Sequence, residues 1–464
     1  MKNFTISLLA FHLHSPFLEY SEKNHQEGKL LWENLAKLGE QYLPFLKLKY
    51  LRHKLTCYDQ NGNYNLDLKT QENNWWMSKS NQTIDLGIIE IENLKIEGNL
   101  QPFILNDTYA ADLTLIPKFS EEKIDISQLK QFPIKNLLPS SIQPSLGETF
   151  LIYGEIDPEI NPQEIADKCI ASLFNSAQIK LIFLNQSELF NSLLFEYEAT
   201  EINRDNNQSQ SFKILVLLKN SQTETLQLAE KSYEWILQLL CCRHKINFIY
   251  QESRNQYLQA KKSYNKLETQ MENFSKIIED PKTRLESLKQ ILEKIPKDYL
   301  YYSRYLRDLK AHKTALETNI TNYKICLKKI ENISNIPQYW QEFLDKNCFL
   351  SHRQIETDIN YLSPGQQLFE QMINTIRAIT ETDQIESDRH LERTIQIIGV
   401  GLGTGGIVAS STGHIDVPFT LKPTGKLETI HPIILTLILS ILATLLAGGI
   451  TWHLTKPKNK NQNN

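Results

Sequence analysis

Glycine is scarce in most of this chain. Of the 17 glycines, eight lie within residues 1–398 and nine lie after them. The sequence has no G-x-x-x-x-G-K-[ST], no H-E-x-x-H and no G-x-S-x-G motif. A phosphate-binding loop, a zinc-protease helix and a nucleophile elbow each need one of these patterns. The sequence therefore indicates none of these three sites.

Paired cysteines and an excess of positive charge are also missing. The six cysteines form no C-x-x-C pair, and the neighbours Cys241 and Cys242 would point apart on a helix, so we interpret all six as free thiols in a reducing compartment. Residues 1–250 carry 23 Lys/Arg against 31 Asp/Glu, and residues 251–393 carry 22 against 21. Without a basic excess, the sequence predicts no nucleic-acid partner.

Residues 1–222 alternate strand-like apolar runs with helical stretches, which predicts a cytosolic α+β domain. The predicted helices are 28–42 and 162–174. The first apolar run is followed by His12, His14 and Pro16 instead of a small-residue cleavage site, so it predicts a strand and not a secretory signal. The predicted strands are 4–11, 87–91, 112–116, 150–153, 178–184, 194–197 and 212–218.

Few residues of this domain suggest chemistry. His12 and His14 lie two apart on a predicted strand and therefore face the same way, as the start of a metal site would require. No second cluster is placed to complete such a site. We predict no catalytic, cofactor-binding or metal-binding residues. If the domain were an enzyme, the first candidates would be His12, His14, His53, Glu155 and Asp157.

Residues 223–393 follow helical spacing and predict a long coiled-coil stalk. Two seams have the alternating 3-4 spacing of a coiled coil, and they predict an antiparallel helix pair. In the second seam the polar residues His312 and Asn319 are predicted to fix register or partner. The first seam is Tyr257, Ala260, Tyr264, Leu267, Met271, Phe274 and Ile278. The second is Tyr302, Tyr305, Leu309, His312, Leu316, Asn319, Tyr323, Cys326, Ile330 and Ile333.

Prolines divide this helical stretch. Pro281 and Pro337 are predicted to end helices, because proline disfavours helix in the residue before it. Ser363 followed by Pro364 predicts a helix start, with serine as the N-cap. No helix breaker lies between the charged end of that helix, near Arg393, and the apolar segment that follows. One continuous helix is therefore predicted to enter that segment.

Two long stretches without charge predict a two-helix transmembrane hairpin at 394–455, with spans at about 394–412 and 432–454. The second stretch has about 23 uncharged residues, against the roughly 20 that a span needs. Arginines precede the first stretch, and a basic tail at 456–464 follows the second. The positive-inside rule then places both termini in the cytoplasm. The sequence thus predicts a multi-pass membrane protein whose partner is the lipid bilayer.

Small and polar residues share one face of the first predicted span. This face would pack against the second span or line a pore, and both interpretations stay open. Gly401, Gly403 and Gly406 also fit a dinucleotide fingerprint, but the sequence after them has no room for the βαβ unit that this motif needs. The face is formed by Gln396, Gly399, Gly403, Thr404, Ile407 and Ser411.

The order of segments resembles that of the CorA-like two-span divalent metal transporters. Shared features are an N-terminal α/β domain, long stalk helices, a helix continuous with a first span, a short loop and a second span with a basic tail. The family has a Gly-Met-Asn tripeptide at the outer end of the first span, where this sequence has Ser411-Thr412-Gly413-His414. The resemblance implies a homo-oligomer that self-associates through the stalk and the first spans.

Three functional hypotheses follow from these observations. The first is a non-enzymatic sensor or scaffold, in which the cytosolic domain binds a partner and the stalk couples it to the membrane anchor. The second is a CorA-like homo-oligomeric ion channel or transporter. The third is a membrane-tethered enzyme whose site is assembled from scattered residues. The sequence does not identify the ligand of the N-terminal domain.

Overall fold

The computed structural model describes nine longer segments and six short ones, and the chain forms two compact units. One unit contains Met1–Asn255 and Asp308–Thr357, and the other contains Gln256–Arg307 and Asp358–Asn464. The predicted domain boundary at residue 222 falls inside the first unit. The described residues are 1–14, 28–41, 46–65, 75–118, 123–176, 178–203, 208–219, 224–278, 284–383, 399–400, 419–421, 428–430, 441–443, 446–447 and 449–450.

The first unit is built on an eight-stranded mixed sheet with the order β2-β3-β4-β1-β5-β8-β7-β6. Neighbouring strands are antiparallel except β5 and β8, which are parallel and place Thr149 opposite Lys213. The strands are β1 (Lys2–Leu13), β2 (Ile84–Ile91), β3 (Leu94–Leu105), β4 (Thr108–Lys118), β5 (Gly147–Glu155), β6 (Ile179–Leu189), β7 (Ser192–Asn203) and β8 (Gln208–Lys219).

Two-residue turns set the register of the hairpins. Phe190 and Asn191 join β6 to β7 and both have positive φ, at 55° and 56°. Positive φ at both positions is the type I′ geometry, which matches the right-handed twist of the strands. Asn106, with φ of 58°, begins the corresponding turn between β3 and β4. The asparagines in these turns tolerate the left-handed conformation better than most residues do.

One face of the sheet carries the main hydrophobic core. Alternate residues of β1 point to it, and the helices that cover it include Trp32, which is fully buried. Asn34 donates from Nδ2 to the Ile142 carbonyl at 3.0 Å and so ties two of these helices together. The helices are α1 (Leu30–Gln41), α2 (Leu46–Lys49), α3 (Leu51–Lys54), α4 (Pro139–Ile142) and α5 (Pro162–Leu173), with 3₁₀ turns at Ile126–Gln131 and Ile134–Leu137.

The opposite face of the sheet packs against α6 (Thr225–Ile278), a helix of 54 residues. The His244 ring lies 5.4 Å from the Phe11 ring, and its Nε2 lies 2.8 Å from the Thr149 hydroxyl. Near the start of the helix, the Tyr233 hydroxyl bonds to Asp112 on β4. Both faces of the central strands are therefore occupied, one by a group of short helices and the other by one long helix.

The remaining helices are α7 (Arg284–Glu331), α8 (Gln338–Glu342), α9 (Phe349–Leu362) and α10 (Pro364–Asp383), with a π turn at Phe343–Cys348. Every seventh residue along the second predicted seam is fully buried. In the second unit, aromatic rings fill the helix contacts, and the rings of Tyr299 and Phe369 lie 5.5 Å apart. The buried set is Tyr302, Leu309, Leu316, Tyr323 and Ile330.

Local signals along the chain differ in how well they anticipate the structure. Each predicted strand overlaps an observed one, but β3 was not predicted. The helix start at Pro364 is present, although the Ser363 hydroxyl donates back to the Ile359 carbonyl at 2.7 Å instead of capping α10. Asn319 does not bond across the seam. Its amide donates to the Ala315 carbonyl of its own helix at 2.8 Å.

The predicted transmembrane hairpin is wrong for the residues that the structure describes, where no helix is long and apolar enough to cross a bilayer. Two short strands, β9 (Phe419–Leu421) and β10 (Glu428–Ile430), pair antiparallel within 394–455. A count of charged residues measures only how well the side chains suit lipid. A membrane span also needs one continuous helix of about 20 residues.

This correction changes the fold class and the functional hypotheses. The described chain combines a mixed sheet with long helices, and the predicted class with a two-helix membrane hairpin is replaced. The two-span membrane location with cytoplasmic termini depended on the hairpin and is wrong on the same finding. The membrane-anchored sensor, the channel and the membrane-tethered enzyme depended on it too. They are set aside.

Candidate functional site

A cavity of about 600 Å³ lies in the first unit between the sheet and the first turns of α6. From the helix, Leu226, Ala229, Tyr233 and Ile236 line it at the 3-4-3 spacing that places residues on one helical face. From the sheet, it is lined by Thr5, Ser7, Asp112, Ile116, Leu151, Tyr153, Leu194, Leu215 and Leu217, among others. Most of this lining is apolar.

The cavity leaves apolar side chains of the sheet centre incompletely covered. Ile116, Leu151 and Leu217 belong to inner strands, yet each is only half-buried. On the other face of the same strands, Phe150 and Ile152 are 0% and 1% exposed. Residues at the centre of a two-faced sheet normally pack on both sides. The cavity is therefore a gap in the cover that α6 provides.

A cluster of hydroxyl groups around Asp112 is the main polar feature of the cavity. The Tyr233 hydroxyl donates to Oδ2 of Asp112 at 2.6 Å, and the Thr114 hydroxyl donates to Oδ1 at 2.9 Å. The Ser7 hydroxyl lies 2.6 Å from that of Thr114. These bonds join β1, β4 and α6, so the cluster also holds the start of the helix to the sheet.

Burial dominates the electrostatics of this cluster. It raises the pKa of Asp112, whereas the hydroxyls of Tyr233 and Thr114 oppose the rise because they donate to the carboxylate. Burial also raises the pKa of Tyr233, and the Asp112 charge raises it further, so the phenol keeps its proton. The tyrosine is therefore a fixed donor to Asp112.

A second, polar pocket of about 750 Å³ lies where β5 and β8 begin. Its charged groups already pair with one another. Lys213 lies 3.1 Å from Glu198, and buried Arg243 lies 3.4 Å from Glu196. The Arg243 guanidinium also lies about 5 Å from the centre of the Phe343 ring. These two cations therefore already have acidic partners.

His244 at this pocket is held neutral. Burial lowers its pKa to about 3, and the charges of Arg243 and Lys213 lower it further. Gly147 is what allows the ring to approach the strand so closely. It has φ of +128°, and a Cβ there would lie 2.7 Å from Nδ1 of His244.

The structure does not bring the candidate enzyme residues together. Nδ1 of His12 accepts from the Ser145 amide at 3.1 Å, and Nε2 of His14 lies 2.9 Å from the Asn106 carbonyl. His53 lies on α3. Glu155 pairs with Lys219 at 3.1 Å, at the far end of β5 from His12. Asp157 follows β5 and lines a small pocket beyond the same end of the sheet.

Among the described residues, no group of three or more His, Cys, Asp or Glu side chains is placed to hold a metal ion. The predicted pore-lining or packing residues fall mostly outside the described part of the chain. Those outside it are Gln396, Gly403, Thr404, Ile407 and Ser411. Gly399 lies within it, and a Cβ there would come 3.4 Å from the guanidinium of Arg377.

No family model matches this sequence, and neither a known protein nor a solved structure matches it. The resemblance to CorA-like transporters stays a prediction drawn from the order of segments. The ion transport that it implied depended on the membrane spans.

Sequence reasoning missed the cavity and its polar cluster. The signal for Asp112 was present, because it is an acidic residue in the apolar strand Tyr-Ala-Ala-Asp-Leu-Thr-Leu-Ile. A buried acid in such a strand needs partners. Tyr233 gave no comparable signal, since it lies more than 100 residues away along the chain. Only the pairing of β4 with α6 shows that the two side chains meet.

Proposed function

We propose that the first unit is a binding module for an apolar small molecule held in the cavity between the sheet and α6. One observation carries the proposal: a cavity of about 600 Å³ with a mainly apolar lining and one polar cluster. Ligand sites generally have volumes of about 300–1,000 Å³ and combine apolar walls with a few placed polar groups. This cavity fits that description.

The driving force would be burial of the half-covered sheet centre. Ile116, Leu151 and Leu217 are already partly shielded, so a ligand would gain only part of the roughly 1.5–3 kcal/mol that full burial of such a side chain provides. Several side chains contributing together would still give micromolar binding, which requires about 8 kcal/mol. The walls are preformed, which limits the ordering that the protein must undergo.

We also propose that the chain is not an enzyme. The support is that His12 and His14 are engaged in structural hydrogen bonds, and that the buried thiols are poor nucleophiles. Burial raises the pKa of Cys57 and Cys169 to about 12, which leaves them protonated near neutral pH. The test is the full chain with ester, phosphodiester and nucleotide substrates. Turnover that His12→Gln abolishes would contradict the proposal.

The binding test uses N-phenyl-1-naphthylamine, an apolar fluorophore that brightens on leaving water. Added to the full-length protein, it should show saturable enhancement at micromolar concentration. Ala229→Phe places a ring into the cavity and should weaken binding at least about tenfold. The matched control is Gln227→Phe, which adds the same ring at an exposed position of the same helix and should leave the affinity unchanged.

Two results would overturn the proposal. One is an absence of saturable binding in the unmodified protein, which would mean that the cavity does not admit an apolar molecule. The other is equal affinity in Ala229→Phe and Gln227→Phe, which would place the fluorophore elsewhere. Thermal unfolding of both variants checks that neither substitution disturbs the fold.

A further inference from the structure

The hydrogen atoms of the Asp112 cluster can be assigned one by one. A hydroxyl group has a single proton to donate. The Tyr233 and Thr114 hydroxyls both use theirs on the Asp112 carboxylate, at 2.6 Å and 2.9 Å. Because the Thr114 proton is committed, the 2.6 Å contact between Thr114 and Ser7 requires Ser7 to be the donor. All three protons therefore stay inside the cluster.

Only the lone pairs of the cluster's oxygen atoms remain available for a hydrogen bond to a ligand. The oxygens of Ser7, Tyr233 and Asp112 all belong to residues that line the cavity. With their protons committed, the two hydroxyl oxygens can only accept a further hydrogen bond, and the carboxyl oxygens of Asp112 are acceptors in both of their bonds. A ligand with a donor group satisfies these atoms. A second acceptor placed there would be left unpaired, which costs about 1–3 kcal/mol.

Electrostatic repulsion also disfavours a ligand with a carboxylate head group. Asp112 is only 4% exposed, so a second carboxylate beside it would be poorly screened. Two cationic groups also reach the lining, the ammonium of Lys118 and the amino group of Met1. Each already has an acceptor: Glu97 lies 2.5 Å from Lys118, and the Ile124 carbonyl lies 2.9 Å from the Met1 nitrogen. An anionic head group would therefore have to share either ammonium with the acceptor that it already has.

We infer that the cavity selects an apolar molecule whose polar end is a hydrogen-bond donor, an alcohol or a primary ammonium, and that it discriminates against the carboxylate of the same chain length. This inference rests on the proposed binding function and specifies the chemical class of its ligand. The apolar chain lies against the half-buried residues of β4, β5 and β8. The donor group bonds to the Ser7 or the Tyr233 oxygen.

The experiment compares decan-1-ol, decylammonium and decanoate, which share a chain and differ only in the head group. Each displaces N-phenyl-1-naphthylamine from the full-length protein at pH 7.5. The alcohol and the ammonium should bind at least about tenfold more tightly than decanoate. Tenfold corresponds to about 1.4 kcal/mol, which lies within the range for one unpaired buried group.

Asp112→Asn gives the decisive comparison. The amide replaces a charged acceptor with a neutral group that has two donors of its own. It should improve decanoate binding and reduce the alcohol-to-decanoate ratio by at least about tenfold. If this variant does not fold, Ser7→Ala removes one acceptor while keeping the carboxylate, and it should weaken the alcohol while leaving decanoate unchanged. Lys118→Met is the control, with no expected change in the ratio.

Three outcomes would overturn the head-group inference alone, with fluorophore binding intact. They are equal affinity for the three decyl compounds, an unchanged ratio in a folded Asp112→Asn or Ser7→Ala variant, and tight decanoate binding that Lys118→Met removes. If neither the fluorophore nor any decyl compound binds, the proposed binding function itself fails. The two failures are therefore distinguishable.

Discussion

Burying some single residues of the sheet costs free energy, and Glu148 is the clearest example. Its side chain is 0% exposed, and neither carboxyl oxygen has a hydrogen-bond partner in the described structure. Burial raises its pKa well above the usual value, and the Glu201 charge raises it further. The folded state therefore favours the neutral acid, whereas the unfolded chain ionises near pH 4.5.

Glu148→Gln tests this directly. A raised folded-state pKa stabilises the protein fully below the unfolded-state pKa, and that stabilisation is lost as pH rises through the folded-state pKa. Glutamine has no such dependence. We expect the variant to be more stable than the unmodified protein at pH 9, by about 1–3 kcal/mol, with a much smaller difference at pH 5. Urea unfolding at both pH values measures it, with exposed Glu159→Gln as the control. The same difference at both pH values would contradict the prediction.

Gly147 is a second residue on which the fold depends. Alanine there meets two obstacles, a backbone φ of +128° and an Nδ1 of His244 only 2.7 Å from the new Cβ. We expect Gly147→Ala to destabilise the protein by about 2–5 kcal/mol, combining backbone strain with overpacking. Gly87 separates the two effects, because it also has positive φ, at +93°, but nothing lies within 4 Å of its Cβ position.

Gly87→Ala should therefore show strain alone, about 1–3 kcal/mol. Chemical denaturation of the two variants gives the difference that belongs to His244. If both lose the same stability, the close approach of His244 to Gly147 does not contribute to the loss.

Among the elements, the long helices were the most predictable because their signal repeats. The 3-4 spacing of the second seam places two residues in every seven on one face of α7. One of these two sets, at every seventh residue from Tyr302 to Ile330, is fully buried. The spacing identified the buried face but not what covers it. Asn319 shows this limit, since its amide bonds within its own helix and does not reach a partner.

Leu316→Ala tests how tightly the buried face of α7 is packed. Leu316 is 0% exposed in the middle of α7, so truncation should cost about 2–5 kcal/mol, combining lost burial with the cavity left behind. The control, Lys324→Ala, changes an exposed position of the same helix and should stay within about 0.5 kcal/mol. Thermal and urea unfolding would report both. A small effect at Leu316 would mean that the seam is loosely packed.

β3, the one strand of the eight-stranded sheet that was not predicted, shows why local signals fail. β3 contains Gly98 and Pro102, both of which argue against an inner strand. In the structure β2 pairs with β3 only as far as Leu100, so Pro102 lies beyond that ladder and needs no donor toward β2. Its carbonyl instead accepts from the Met77 amide at 2.9 Å. The strand is thus compatible with proline only because its neighbour ends early, which no local pattern reveals.

For the whole molecule, the sequence predicted which segments form strands and helices better than how these elements are arranged in space. Alternation of apolar residues locates strands, but it does not state that β1 lies between β4 and β5 or that β5 and β8 run parallel. The cavity follows from that arrangement, since its polar cluster combines β1, β4 and α6. The membrane prediction is wrong at this scale as well, since no helix among the described residues is long and apolar enough to cross a bilayer.

Self-association through the helical stretch stays a prediction. Phe349 and Leu350, neighbours at the start of α9, are 59% and 64% exposed, which makes them a suitable place to test it. Sedimentation velocity over a range of concentrations should show an oligomer, and changing both residues to glutamate should shift it toward monomer. Lys346→Glu, nearby on the π turn, is the charge control. A monomer at every concentration would contradict the prediction.

The central position of β1 also affects how the protein is made. Ile6 pairs with Leu115 on one side and Ile152 on the other, so its neighbours leave the ribosome more than 100 residues later. At about 5–20 residues per second, the nascent strand waits on the order of ten seconds for its second partner. During translation, the segment Phe-Thr-Ile-Ser-Leu-Leu-Ala-Phe is therefore an expected target for chaperones.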